Sequence, residues 1–400
     1  MLTVPLPRDA AWPAAFTSNF YLCCLKFQHL QVSWYLHLFI KLDSVYHSQT
    51  LHFKIFIAGK DLKELIEPYQ DRVDKVRTFL LDVNPGIQYE LCSLRDPYGP
   101  AITDPDLECI VVSDETRKGG EAVNRKRLAN ALQELAMHQI SLVKDVHHTS
   151  DEEEKISSST LRKRLLGSLL VPPKDNPRIP ATPYVIGLTG YMGSGKSTVV
   201  QYLQKMGAVA INADAMGHES YRQGTAAHHK IVQEFGQEIL LQGGTINRKA
   251  LGKIVFEDQE KLKRLTSIVW PETAALVKQM ISQAGSEGKS VCVVDAALLL
   301  EAGWKDMVHE VWVVIVPKDE LVTLALMRSS VFPLHQALRR IVQRDNVSEE
   351  DARKRLANQW SNAQRVQHAN VVLSTQWEPE FTQKQIRKAW QLLQNRRSSC

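Results

Sequence analysis

The stretch GYMGSGKS, from Gly190 to Ser197, has the spacing G-x-x-x-x-G-K-[ST]. It follows an apolar run typical of a buried strand, and helical spacing resumes after it. The glycines allow backbone N–H groups to turn towards phosphate oxygens, and Lys196 can reach the β and γ phosphates. The Ser197 hydroxyl can join a Mg²⁺ shell, and the helix that follows adds positive dipole. The pattern predicts nucleotide binding rather than a plain glycine-serine turn, through Gly190, Tyr191, Met192, Gly193, Ser194, Gly195, Lys196, Ser197 and Thr198.

The identity of the nucleotide is indicated by a second, weaker pattern. DAMG, from Asp214 to Gly217, matches the D-x-x-G element of GTP-binding proteins. However, the N-K-x-D sequence that reads guanine does not occur downstream. We therefore predict ATP.

Two carboxylates follow predicted strands in the same half of the chain. Asp214 comes just after the second strand, at the sheet edge where ligands of open α/β folds gather. There it could orient a hydroxyl group and accept its proton, although a helix N-cap is the alternative. Asp295 ends another apolar strand and could hold Mg²⁺ or bind substrate. Its alternative is a strand-end cap.

The segment ALRRIVQRDNVSEEDARKRLANQ carries several arginines on a predicted helix, turn and helix. The turn has Ser348 as a predicted N-cap with Asp351 at capping-box spacing. Such a charged pair of helices is usually a solvated face. Beside a phosphate loop, arginines on a helical flap could instead close over the γ-phosphate and exclude water. These arginines are Arg339, Arg340, Arg344, Arg353 and Arg355.

Alternating strand and helix patterns run along most of the chain. The segments YVIGLT, AVAIN, SVCVVD, VWVVIV and ANVVLS are apolar along their whole length, as strands covered on both faces must be. The upstream part of the chain shows a similar α/β pattern: a helix broken by Pro68, the strand IQYELCSL and the strand of LECIVVSD. The proline-dense residues 171–183 predict a linker. The fold class predicted is α/β, with a parallel sheet in each half.

Composition restricts the partners. The net charge of +5 over 400 residues is weak, and basic residues are scattered among acidic ones, so nucleic acid is not an expected partner. The longest apolar runs are interrupted by polar residues, so membrane association is not expected. Six cysteines without metal-ligand spacing suit a reducing compartment. Residues 1–57 show no clean period and no secretory signal pattern, and we expect the cytoplasm or the mitochondrion as location.

Residues 184–395 resemble the dephospho-CoA kinase family. The resemblance rests on VIGLTGYMGSGKST, INADAMGH, INRKALGKIVF, VVDAALLLEAGW, RRIVQRDNVSEEDARKRLANQ and ANVVLS, in that order. It implies a P-loop kinase domain that uses ATP and Mg²⁺ to phosphorylate the ribose 3′-hydroxyl of dephospho-CoA. It places Asp214 near that hydroxyl and Arg248 in a substrate-side motif. Arg340, Arg344 and Arg355 match lid arginines.

Residues 58–170 resemble the later part of a phosphopantetheine adenylyltransferase-like domain, a partial Rossmann-like nucleotidyltransferase domain. VVSDETRKGGEAVNRKR and ISSSTLRKR carry this likeness. It implies ATP-phosphate contacts from Ser157 to Thr160 and from Arg162, whereas a plain N-cap is the alternative. The two segments in this order resemble bifunctional coenzyme A synthase. The implied division is 1–57 unassigned, 58–170 truncated adenylyltransferase-like, 171–183 linker, 184–395 kinase and 396–400 tail.

The sequence departs from these families in three ways. An H-x-G-H motif, needed for adenylyl transfer, does not occur, since HSQTLHFK has the wrong spacing. An apolar insertion occupies residues 321–335, just before the lid arginines. Asn212, Ala297 and Trp270 replace the usual Asp, Pro and His. Two alternatives to a kinase therefore stay open: a bifunctional enzyme that also adenylylates 4′-phosphopantetheine, and a defective variant that only binds nucleotide or a partner.

Overall fold

A computed structural model describes residues 20–24, 48–54, 60–86, 88–94, 96–149, 152–256, 258–316 and 359–398. The described residues divide into two compact units between Arg162 and Lys163. Each unit contains a five-stranded parallel sheet. The predicted α/β class with a parallel sheet is therefore confirmed. The domain and linker boundaries given above stay predictions.

The first unit has the strand order β3-β2-β1-β4-β5. Its two central strands, β1 and β2, lie inside the first 57 residues, where the sequence pattern predicts no element. They pair in parallel, with Phe20 opposite Gln49, and β1 also pairs with β4. The elements are β1 (Phe20–Cys24), β2 (Ser48–Lys54), α1 (Tyr69–Val83), β3 (Gln88–Leu94), β4 (Cys109–Ser113), α2 (Arg117–Ala129), β5 (Ala136–Ile140) and α3 (Ser158–Leu165).

The core of the first unit forms where α2 packs against β4. Ile110, Val112 and Val123 are nearly inaccessible to water within one apolar cluster. Burying such side chains contributes roughly 1.5–3 kcal/mol each, which is the main force holding helix to sheet. Helix α1 begins immediately after Pro68, which fits the predicted break because proline is accommodated best at or just before a helix start.

The second unit has the strand order β10-β9-β6-β8-β7. All five strands predicted for this half are present, and all pair in parallel. Its elements are β6 (Tyr184–Gly190), α4 (Lys196–Lys205), β7 (Val209–Asn212), α5 (Ala213–Glu219), α6 (Ala226–Phe235), α7 (Arg248–Phe256), α8 (Gln259–Ser286), β8 (Val291–Asp295), β9 (Glu310–Ile315), α9 (Asn362–Val366), β10 (Val371–Ser374) and α10 (Pro379–Ser398).

The strands of the second unit are buried because helices cover the sheet. Ile186, Val293 and Trp312 share one core cluster with Leu203 of α4 and Leu393 of α10. Wholly apolar strands pack in this way, since each face of the sheet needs an apolar cover. None of the helices in the described ranges combines the length and apolar content that crossing a bilayer requires.

The order of strands fixes where a ligand can bind in the second unit. β6 lies at the centre, with β8 and β7 on one side and β9 and β10 on the other. The direction in which the chain winds across the sheet therefore changes at β6. In open parallel sheets, ligands bind beyond the carboxyl ends of the strands at such a point. The glycine-rich loop follows β6 directly.

Candidate active site

The loop after β6 has the backbone shape that the glycine spacing predicts. Gly193 and Gly195 have φ values of 78° and 88°, in the left-handed region that favours glycine. Gly195 is the N-cap of α4, which begins at Lys196 as predicted. The first turn of α4 contains no acidic residue. Its positive dipole end is therefore directed into the loop without a local carboxylate to offset it.

Two glycines are required because neighbouring strand ends approach the loop closely. A Cβ atom on Gly190 would lie 2.3 Å from the Val314 carbonyl oxygen, and one on Gly195 would lie 2.9 Å from Thr375 Cγ2. Thr375 Oγ1 also donates a hydrogen bond of 2.6 Å to the Ser194 carbonyl oxygen. The ends of β9 and β10 thus hold the loop in its curved shape.

Lys196 places a buried positive charge in this loop. Its side chain is 9% exposed, and Nζ donates hydrogen bonds to the carbonyl oxygens of Gly190 at 3.0 Å and of Tyr191 at 3.2 Å. An ammonium group at a helix start, enclosed by a glycine loop, is suited to bind phosphate oxygens. The predicted phosphate site therefore has both its backbone and its charged component.

A buried arginine, Arg365, contacts the end of the strand that leads into the loop. Arg365 is 0% exposed, and Nη1 donates to Thr189 Oγ1 at 2.8 Å and to the Ala297 carbonyl oxygen at 2.9 Å. Nη2 donates to Glu301 Oε1 at 2.6 Å. Burial lowers the pKa of Arg365, and the Glu301 carboxylate opposes that shift. The guanidinium also lies 5.6 Å from the Tyr191 ring centroid.

The sequence patterns did not point to Arg365 or to Gln359. Gln359 Oε1 accepts a hydrogen bond of 3.1 Å from the Met192 backbone N–H, inside the phosphate loop. Gln359 is the last residue of the predicted lid segment, and Arg365 lies between that segment and β10. Their signal is weak, because polar residues before a strand are commonplace and the partners are far away in the sequence.

The two predicted carboxylates lie at the same sheet edge as the loop. Asp295 is the last residue of β8, opposite Leu188 of β6 on one side and Asn212 of β7 on the other. Asp214 is exposed in the first turn of α5. The alternative of Asp214 as an N-cap is wrong, because the Asn212 side chain caps this helix by accepting from the Ala215 N–H at 2.9 Å. The Asp214 carboxylate is therefore not used as the cap.

Three further side chains, those of His218, Tyr221 and Arg248, lie near Asp214 or near one another. His218 Nδ1 lies 2.8 Å from the Tyr221 hydroxyl oxygen. Burial lowers the pKa of His218, the Arg248 cation lowers it further, and the Asp214 charge opposes both. Burial raises the pKa of Tyr221, and the Arg248 cation opposes that shift. The structure thus places the predicted Asp214 and Arg248 each near His218, and adds His218 and Tyr221, which the sequence patterns did not single out.

The donors for a magnesium ion are oxygen atoms of the preferred type. Ser197 is exposed in the first turn of α4, and Asp295 supplies a carboxylate at the end of β8. Mg²⁺ takes few protein oxygens and completes its shell with water and substrate phosphates. In the described part of the chain, no group of three or more His, Cys, Asp or Glu side chains is arranged to hold a metal by itself. These residues fit a metal bound mainly by nucleotide phosphates.

Some predicted site residues lie outside the described ranges. They are the insertion at residues 321–335 and the arginines Arg339, Arg340, Arg344, Arg353 and Arg355. Their proposed lid role stays a prediction.

The parallel sheet, the glycine loop after its central strand and the buried lysine define the P-loop class of nucleotide-binding proteins. Comparison with known proteins narrows this class. The family model described as "Dephospho-CoA kinase" matches residues 184–337. A dephospho-CoA kinase of Geobacter sulfurreducens is 39% identical over 206 residues, which cover 52% of this chain and 96% of that protein. The chain therefore belongs to the dephospho-CoA kinase family, and it is a kinase.

A second relative agrees with this result. A dephospho-CoA kinase of Carboxydothermus hydrogenoformans is 36% identical over 202 residues, covering 50% of this chain and 90% of that protein. Among solved structures, the dephospho-CoA kinase from Campylobacter jejuni is 26% identical over 52% of this chain and 96% of its own, with a TM-score of 0.38. These matches span about half of this chain.

Proposed function

We propose that the second unit binds ATP on the loop after β6 and transfers its γ-phosphoryl group to the 3′-hydroxyl of dephospho-CoA. The product is coenzyme A. This proposal depends mainly on one observation: buried Lys196 and the carboxylates of Asp214 and Asp295 lie at the same edge of one parallel sheet. The family of the chain supports the choice of both substrates.

Each side chain has a role that follows from its chemistry. Backbone N–H groups of the loop and the Lys196 ammonium bind the phosphate oxygens and offset the charge that develops during transfer. Asp214 aligns the acceptor hydroxyl and takes its proton as the oxygen attacks in line. Arg248 and Asp214 both lie near His218, so Arg248 would act on the acceptor side. The negative charge of the acceptor substrate suits that position.

Ser197 and Asp295 would hold Mg²⁺, directly or through water. The ion would supply positive charge next to the phosphate oxygens of ATP. By resemblance, Arg340, Arg344 and Arg355 would close over the nucleotide and exclude water. For the whole chain, the cytoplasm or the mitochondrion is the proposed location.

For the first unit we propose a nucleotidyltransferase-like domain that does not perform adenylyl transfer. Support comes from the missing H-x-G-H motif and from α3, where Ser157 Oγ accepts the Thr160 N–H at 3.1 Å, as a plain N-cap would. A pyrophosphate-release assay with ATP and 4′-phosphopantetheine tests this. Release of pyrophosphate would instead favour the bifunctional alternative.

The kinase proposal is tested by ADP release from the purified full chain in the presence of dephospho-CoA. We expect turnover, and a loss of at least about 100-fold for Lys196→Ala, because a preorganised charge at the transferring group is removed. Lys205→Ala is the matched control, since Lys205 is an exposed lysine in the last turn of the same helix. Melting curves check that both variants fold. ATP binding without turnover by the wild-type chain would favour the defective-variant alternative.

A further inference from the structure

A short chain of polar side chains lies beside the proposed acceptor site. His218 and Asp214 are four residues apart on α5, so their side chains lie on one face of the helix. His218 Nδ1 is 2.8 Å from the Tyr221 oxygen, and the Arg248 cation lies near the same phenol. The mechanism above gives no role to the histidine or to the tyrosine.

The direction of these hydrogen bonds follows from the available protons. A guanidinium carries only donors, so the Tyr221 phenol turns its oxygen lone pairs rather than its hydrogen towards the nearby Arg248 cation. The phenol hydrogen is then free to donate to His218 Nδ1. In a neutral imidazole, the proton must in that case sit on Nε2. The arrangement therefore selects the tautomer that has an Nε2–H donor.

Packing fixes the end of the helix that carries this histidine. The Ser220 hydroxyl donates to the Gly217 carbonyl oxygen at 2.9 Å, which closes the end of α5. Thr273 of the long helix α8 lies 3.4 Å from Ser220 Oγ and donates to the Val269 carbonyl oxygen at 2.8 Å. The end of α5 is thereby held against α8. Within the described residues, the Nε2 atom of His218 makes no hydrogen bond.

The charge state of the ring restricts the group that it can bind. Burial and the nearby Arg248 cation both lower the pKa of His218, which favours the neutral ring. A neutral N–H donor matches a neutral hydroxyl oxygen, while the phosphates of the acceptor are better matched by Arg248. An acceptor ribose has a second hydroxyl group directly beside the one that reacts. The spacing of Asp214 and His218 suits two neighbouring hydroxyls.

We propose that His218 Nε2–H donates a hydrogen bond to the ribose 2′-hydroxyl of the acceptor and so directs the 3′-hydroxyl towards Asp214. This inference rests on the proposed kinase function. Tyr221 and Arg248 act as positioning residues, since they hold His218 in the required tautomer. His218 itself is a substrate-contacting residue.

The test compares dephospho-CoA with its 2′-deoxyribose analogue in steady-state kinetics of the full chain. For the wild type, we expect kcat/KM to fall about tenfold with the analogue, the loss of one neutral hydrogen bond. His218→Ala should lose about tenfold with the normal substrate and should no longer distinguish the two substrates. Tyr221→Phe should fall between these limits, with KM for ATP unchanged in both variants.

Two substitutions separate contact from folding. His218→Gln places an amide N–H near the position of Nε2 and should restore part of the discrimination, whereas His218→Asn should not. His229→Ala, at an exposed histidine of α6, is the control and should behave as wild type.

The outcomes distinguish this inference from the function on which it rests. Wild-type turnover together with full discrimination by His218→Ala would overturn the inference and leave the kinase intact. A wild type that does not phosphorylate dephospho-CoA would overturn the kinase proposal and the inference with it.

Discussion

Arg365 and Glu301 form an ion pair of 2.6 Å directly behind the phosphate-binding loop. The arginine side chain is 0% exposed and the glutamate side chain is 10% exposed. Removing one member of such a pair leaves the other charge buried without compensation. The same guanidinium holds Thr189, at the end of the strand that leads into the loop. Stability and nucleotide binding therefore depend on one side chain.

We predict that Arg365→Met lowers the free energy of unfolding by about 3–5 kcal/mol, the usual cost of breaking a buried ion pair. Urea unfolding of the full chain measures this. ATP affinity should fall as well, as measured by calorimetry. Arg264→Met breaks the exposed pair with Glu234 and serves as control, with no measurable change expected. Equal effects of the two variants would contradict the supporting role.

Gly190→Ala tests the close approach of backbone to backbone at the start of the loop. The added Cβ would lie 2.3 Å from the Val314 carbonyl oxygen, so the loop or β9 must move. We expect a loss of ATP affinity of at least tenfold and a lower melting temperature, measured by calorimetry and by differential scanning fluorimetry. Gly243→Ala is the control, because a Cβ there meets nothing within 4 Å. Unchanged ATP binding by Gly190→Ala would show that the loop tolerates displacement.

Asp214→Asn removes the proposed proton acceptor while it keeps the size of the side chain. We expect kcat to fall by about 100-fold or more, with the KM for ATP nearly unchanged. The melting temperature should not change, because Asn212 rather than Asp214 caps the helix. Glu219→Gln, at the last residue of the same helix, breaks only an exposed pair with Arg222 and is the control. A variant with wild-type kcat would assign the proton transfer to another group.

The unfolding free energy should depend on pH through His309. The Val185 N–H donates to His309 Nδ1 at 2.9 Å, and burial lowers the pKa of the ring below its ordinary value of 6.5. The unfolded chain therefore takes up the proton first as the pH falls. Stability is fully present above about pH 6.5 and is lost as the pH falls below it, by up to about 1.4 kcal/mol per pH unit.

Urea unfolding between pH 7.5 and pH 5 measures this dependence. His309→Gln should have a flatter profile than the wild type, although its stability at pH 7.5 is lower. His229→Ala, at an exposed histidine, should retain the wild-type slope. Parallel profiles of wild type and His309→Gln would assign the acid sensitivity to other groups.

The phosphate loop and the strands of the second unit could be predicted because their signals are local. The residues that form the phosphate loop, Gly190 to Ser197, are consecutive, and the composition of a wholly apolar strand indicates that the strand is buried. Arg365 could not be found in this way, since its partner Thr189 is 176 residues away. The contact between His218 and Tyr221 is local in sequence, yet its role depends on Arg248, which another helix supplies.

The strands at residues 20–24 and 48–54 show a second kind of limit. Their sequences, FYLCC and SQTLHFK, mix aromatic, polar and sulfur-containing residues and do not alternate regularly between apolar and polar residues. What defines them is parallel pairing with one another and with neighbours far along the chain. Local patterns of residue types do not reveal such pairing between distant segments. Asn212 is different, because its role as a helix cap is local in sequence, and Asn and Asp serve equally well there.

The contact between Thr375 and the loop links ligand binding to the end of the chain. Thr375 holds Ser194, and its neighbour Ser374 donates its backbone N–H to Gln385 of α10 at 2.8 Å. A nucleotide that stabilises the loop must therefore also stabilise β10 and α10 against local opening. Amide protons of that final helix should exchange more slowly when ATP is bound, which would make the helix a remote reporter of occupancy.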